Sequence, residues 1–233
     1  MSEKGIKGNN YIWKVGGSRY DAYMWKYAGV DPNNGRAMYW VHDEDTGEDT
    51  TTYNFDEATR YELGTILPKL FGGFGTALNA YGFDFSAQFS YQLGGKYYDG
   101  NYQQLMWTQS SAGQAWHKDA LKAWTPENTD TDVPRLDGDT QVSQSALDRF
   151  LISSNYLSIN NVTLGYTFPA TWTRKIQLSS LRVYVAGENL AVFTARKGMD
   201  PRNTMDIGSF TMGQGSSSYS TMRTITGGIT LTF

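Results

Sequence analysis

The chain has 233 residues, enough for one sizeable core or for part of something larger. A formal net charge of −3, from 20 Lys and Arg against 23 Asp and Glu, offers no basic face for nucleic acid. The lack of cysteine excludes disulfide staples and thiolate metal sites, and no run of about 18 apolar residues is present to make a transmembrane helix.

Mean hydropathy is −0.50, a value that hides a barrel wall well, because barrel strands alternate faces and their loops are polar. Aromatic residues make up 15% of the chain, with 16 Tyr and 7 Trp, and there are 25 Gly. Aromatic girdles and tightly turned strands produce this mixture, and a soluble β-sandwich produces it too.

In chain order, the opening MSEKGIKGNNYIWKVGG has no apolar core segment and no cleavage site, so it is not a signal peptide. The expectation is a piece of a longer precursor, with signal peptide and plug absent. A weak strand is predicted over Tyr20–Tyr27. Residues 28–67 form a long connection holding an acidic run with Asp43, Glu44, Asp45, Glu48, Asp49, Asp56 and Glu57. Oxygen ligands suit calcium, but the spacing matches no EF-hand, so a solvated acidic loop is expected and no metal or cofactor. His42 and His117 fit no catalytic or metal spacing, and no enzymatic activity is expected.

Residues 71–80 and 82–93 read as a hairpin. Phe83, Phe85, Ala87, Phe89, Tyr91 and Leu93 share one face; Asp84, Ser86, Gln88, Ser90 and Gln92 share the other. Ala80-Tyr81-Gly82 is a tight turn, with Gly82 free to take positive φ. Residues 94–154 are a long connection with Trp107, Trp116 and Trp124. These are either platforms for substrate or partner contacts or the internal packing of a long loop. A strand over 155–168 switches parity at Asn160–Asn161, which predicts a bulge there. After a short link at 169–180, the strand 181–193 puts Leu181, Val183 and Val185 on one face. Its other face carries Arg182, Tyr184, Ala186 and Glu188. Residues 194–220 are long. The strand 221–233 then alternates Ile225, Ile229, Leu231 and Phe233 against threonines.

The connections thus alternate long and short. Strand direction flips at each one, so the long ones 28–67, 94–154 and 194–220 gather at one end and the short ones at the other. Transmembrane barrels have this asymmetry, with long loops extracellular. Strands of about 11 to 13 residues, tilted by about 45°, match the apolar band of such a wall. Five or six strands would leave open edges in lipid, so further strands from elsewhere are expected. The fold class is all-β, a segment of an antiparallel transmembrane β-barrel. Asp84, Ser86, Gln88, Arg182 and Glu188 are predicted to face the lumen; Phe83, Phe85, Phe89, Tyr91, Ile229 and Leu231 are predicted to face lipid.

Several stretches, in order, carry a family resemblance. They are YAGVDPNNGRAMYW (27–40), LPKLFGGFGT (67–76), FDFSAQFSYQLGGKYYDG (83–100), WTPENTDTDVPRL (124–136), NYLSINNVTLGYTFP (155–169), LSSLRVYVAGENLAVFT (178–194), GMDPR (198–202) and the terminal strand. The chain resembles the carboxy-terminal part of the SusC/RagA-like, TonB-linked outer-membrane transporters. That resemblance implies a plugged barrel of roughly 22 strands. It also implies import of glycans, oligosaccharides or peptides, a SusD-like surface lipoprotein as lid, and energy from TonB–ExbB–ExbD through the missing amino-terminal part. It implies a place in the outer membrane and recognition by the barrel assembly machinery through a last strand ending in Phe233. The fragment is not expected to transport alone. The competing expectations are a structural outer-membrane barrel and a soluble β-rich carbohydrate-binding module.

Overall fold

Leu70–Ala80 and Phe83–Leu93 turn back on each other through Tyr81 and Gly82, whose φ values of 52° and 85° are both positive. That two-residue geometry has the twist that suits paired strands. These are β1 and β2 of a five-stranded antiparallel sheet. Its remaining strands are β3 (Tyr156–Thr167), β4 (Ser180–Thr194) and β5 (Thr224–Thr232), and every strand pairs with the next in chain order. The computed structural model describes residues 5–8, 10–106, 113, 115–136, 146–204, 214–215 and 221–233.

The sheet belongs to a unit formed by Pro68–Gly95, Ser154–Asn203 and Tyr219–Phe233. Its strands contain 11, 11, 12, 15 and 9 residues. At about 3.3 Å per residue and a tilt near 45°, an 11-residue strand spans about 26 Å, the height of a bilayer's apolar band. The predicted bulge is present. Asn160 is skipped in both pairings of β3, and Asn189, with φ 51°, marks the matching irregularity on β4. The extra residue restores the apolar residues of β3 to one face, and Ser90 Oγ donates to Asn160 Oδ1 at 3.1 Å. The last strand begins at Thr224, three residues after the predicted start.

The register fixes where the chain leaves the sheet. Leu70, Leu93, Tyr156 and Thr194 lie at one end, where the long connections attach; Ala80, Phe83, Thr167, Ser180 and Thr232 lie at the other, with the short ones. The link from β3 to β4 holds a helical turn, Ala170–Thr173, and a 3-10 turn, Arg174–Ile176.

The described parts of the long connections carry secondary structure of their own. With the first part of the chain they build a second unit from Met1–Leu67, Lys96–Ser153 and Thr204–Ser218. It contains three small sheets and a core around Met24, Tyr39, Met106, Leu147 and Phe150. The strand expected over Tyr20–Tyr27 is in fact two, Asp21–Trp25 and Tyr27–Val30, in different sheets. Lys26 sits at the break, where its carbonyl accepts from Trp40 N at 3.1 Å. Tyr39 and Tyr98 are pushed up to about 12 by burial, so both remain protonated packing residues near neutral pH.

Candidate functional site

Directly paired residues in a sheet share a face, so the register sorts the side chains. On one face stand the row Leu78–Phe85–Leu164–Val185 and the row Ala80–Phe83–Tyr166–Val183–Ile229. On the other stand Asn79–Asp84–Gly165–Tyr184–Gly228, Ala77–Ser86–Thr163–Ala186–Thr226 and Gly75–Gln88–Asn161–Glu188–Thr224. Asp84, Ser86, Gln88, Arg182 and Glu188 are all on this polar face.

The apolar face is uncovered. Leu78 is 61% exposed, Phe83 54%, Ile225 70% and Ile229 68%, values that belong to surface polar residues in a water-soluble domain. Phe85, Phe89 and Tyr91 are half-buried; Phe74, on the same face, stacks on Phe89 at 4.9 Å. None of these rings enters a core between two sheets.

Two charged clusters organise the polar side of this unit. Arg182 grips Asp84 with a fork: Nε donates to Oδ1 at 2.9 Å, and Nη2 donates to Oδ2. The pair crosses β3 at Gly165, where a Cβ would lie 2.5 Å from Arg182 Nη2. The guanidinium also lies over the Tyr184 ring, 4.9 Å from its centroid, and that ring in turn covers Gly228. Small residues therefore make room for a flat, oriented charge pair. Both side chains are 30% exposed, so the pair contributes geometry more than stability.

The second cluster lies where the chain leaves β4. Arg202 donates to both oxygens of Asp200, at 2.8 and 2.7 Å, and Nη1 reaches Ser158 Oγ at 2.9 Å. Ser158 is fully buried on β3, and the Asp200 side chain is 5% exposed. Burial raises the Asp200 carboxyl, but the Arg202 hydrogen bonds and charge outweigh it and hold the group below its ordinary value. Gly165, Ser158, Asp200 and Arg202 were not singled out by the sequence, which placed Tyr184 on the polar face without giving it a role. Only the small residue opposite a charged one hinted at the first of them.

The other predicted residues divide. The half-buried Trp124 indole lies against Gly35, which has φ 74°, and its Nε1 donates to Pro32 O at 3.0 Å. Trp116 is 48% exposed. Trp107 lies outside the described residues. Phe233 is 86% exposed, directly after the last strand residue. In the acidic run, Asp43 Oδ1 caps a turn by accepting from Asp45 N at 2.8 Å and Thr46 N at 3.3 Å. Asp49 accepts from Tyr61 OH at 3.0 Å and contacts His42 Nδ1 at 2.8 Å. His117 accepts from Asp119 N at 3.1 Å. Among the described residues, no three His, Asp or Glu side chains gather as a metal-binding group.

No protein-family model matches the chain. TonB-dependent receptor P3 of Formosa agariphila is 32% identical over 182 residues, which are 76% of this chain and 17% of that protein. TonB-dependent receptor P26 of the same organism is 28% identical over 175 residues, 73% of this chain and 18% of that protein. Among solved structures, the RagAB peptide importer in the closed-closed state superposes with a TM-score of 0.78 at 27% identity, covering 100% of this chain and 25% of that one. The chain is a relative of the TonB-dependent receptors, of the SusC/RagA type.

A second structure, of the RagAB peptide transporter, gives a TM-score of 0.77 at 26% identity over 98% of this chain and 24% of that one. The receptor-type fold therefore accounts for nearly all of the chain, not for the five-stranded sheet alone. The five strands are a portion of an antiparallel transmembrane β-barrel. The chain spans only 15–18% of the length of the curated receptors it matches.

Proposed function

We propose that this chain forms part of the wall and mouth of an outer-membrane transporter driven through TonB. In this reading the apolar face meets lipid, and Asp84, Ser86, Gln88, Arg182 and Glu188 line the lumen. The observation that carries it is the sorting of side chains by register, with the apolar side uncovered on strands long enough to cross a bilayer. A soluble carbohydrate-binding module would have to bury that face against a second layer. The outer strands β1 and β5 would pair with further strands, because lipid offers no partner to an open edge.

The long connections, 28–67, 94–154 and 194–220, would stand at the extracellular mouth and contact a SusD-like surface lipoprotein and the cargo. Similarity to a peptide transporter supports peptides as the cargo class, with oligosaccharides the other class the family resemblance implies. TonB–ExbB–ExbD would act through parts of the parent protein beyond this chain, and the barrel assembly machinery would insert the barrel.

The chain lacks cysteine, so single cysteines can report each face. In outer membranes, Ser86→Cys and Glu188→Cys should react with a bulky water-soluble maleimide. Phe85→Cys and Ile229→Cys should react only after detergent extraction. Equal labelling of both sets in intact membranes would refute the wall assignment.

A further inference from the structure

We infer that the turn joining β3 to β4, residues 169–179, is a binding site for anionic lipid headgroups, an inference that rests on reading the sheet as a membrane wall. A file of aromatic rings leads along the sheet to this turn. Phe83 lies 4.6 Å from Tyr166, Tyr166 lies 5.0 Å from Phe168, and Phe168 lies 6.4 Å from Trp172. Phe83 and Tyr166 stand in the last aromatic row of the apolar face. Phe168 N donates to Leu181 O at 2.9 Å, which continues the file beyond the end of β3. The file ends on Trp172, which is 61% exposed.

Beyond the rings come two cations. Arg174 and Lys175 are exposed, and neither has an ion-pair partner among the described residues. The stretch from Phe168 to Ser179 contains no Asp or Glu. Ile176, next in sequence, is 61% exposed. The turn that carries them is held internally. Trp172 N and Thr173 N both donate to Pro169 O, at 2.9 and 3.3 Å, and Leu178 N donates to Thr173 O at 3.1 Å. Thr173 and Leu178 are buried, and Gln177 closes the turn at φ 61°.

The order of chemistry from the sheet along the chain into the turn is apolar rows, then aromatic rings, then cations. A bilayer changes in the same order, from hydrocarbon through the interface to phosphate. Aromatic side chains favour the boundary, where one end of the ring is dry and the other wet. A guanidinium and an ammonium just outside it meet phosphodiester oxygens with charge-assisted hydrogen bonds. Charge complementarity therefore selects anionic lipid as the occupant.

The test uses the intact protein that carries this chain, reconstituted in vesicles of phosphatidylcholine with one-fifth phosphatidylglycerol, about the anionic content of a charged leaflet. Flotation with the vesicles is scored first, then the lipid retained on the extracted protein by native mass spectrometry. Unmodified protein should retain phosphatidylglycerol over phosphatidylcholine, and raising the salt should erase the preference. Arg174→Gln with Lys175→Gln should float equally well and lose that retention by about fivefold or more, since each cation near a charged surface is worth about that factor. Lys197→Gln, an exposed cation after β4, should change nothing. No preference in the unmodified protein, a preference indifferent to salt, or full retention in the double variant would each overturn the headgroup site while flotation still supports the wall. Failure of the unmodified protein to float would overturn the wall reading, and the site with it.

Discussion

Glycine on the polar face of this sheet is dictated by what lies over it. Gly165 is crossed by the Arg182–Asp84 fork, and any Cβ there overlaps the carboxylate and the guanidinium. Gly227, on β5, pairs with Val185 on the apolar face and has only Tyr184 O near, at 3.9 Å, so an added methyl enters open space. The two positions therefore contrast a crowded glycine with an uncrowded one. Gly165→Ala should push the fork apart, and because the atoms it meets are the ends of flexible, part-exposed side chains, it should lower stability by up to about 1 kcal/mol. Gly227→Ala should be within about 0.5 kcal/mol of the parent, as surface changes are. Urea unfolding in detergent micelles, followed by tryptophan fluorescence, measures both. Equal stabilities would mean that the fork gives way at no cost and has no fixed geometry.

Strands show where the sequence was readable. Five long strands, the turn at Tyr81–Gly82 and the bulge at Asn160 follow from side-chain parity, because a one-residue change of register moves every side chain to the other face. The short strands were not readable in the same way. Lys96–Asp99 and Asp49–Thr52 have four residues each, too brief to establish a period, and Lys96–Asp99 also pairs with the distant Leu151–Ser153. Trp124 illustrates the same limit: its partner Gly35 is 89 residues away, so no local pattern could separate packing from display. The clarity of the long strands also yields a sharp contrast. Ile229 and Thr230 are adjacent on β5 but lie on opposite faces. Ile229→Arg should destabilise the barrel by about 2 kcal/mol or more, the cost of a charge facing the bilayer interior, and Thr230→Arg by much less. Folded fraction after refolding into lipid vesicles, scored by heat-modifiable gel mobility, reads the difference. Equal losses would show that neither face meets lipid.

The two units are interleaved along the chain, since each is built from three separate segments. This gives the long connections a collective stability that no single loop has. Of the fourteen residues in the main core of the unit they build, seven lie between Tyr11 and Ile66 and seven between Tyr98 and Phe150. Burying a large apolar side chain stabilises by about 1.5–3 kcal/mol, while a whole domain is net stable by only about 5–15 kcal/mol. Neither half can hold the other's share of that core if it is removed. Replacing residues 96–153 with a short linker in the intact protein should therefore unfold 20–66 as well, though that segment is left untouched. The five-stranded sheet draws none of its pairing from 96–153 and should keep its barrel signature. Amide hydrogen exchange is the direct readout: protection at Met24, Tyr39 and Ile66 should fall to that of an open chain, while Val162, Val183 and Leu231 stay protected. Persistent protection at Tyr39 would mean that residues 20–66 fold on their own, and the mouth would then be a set of separate loops instead of one cooperative unit.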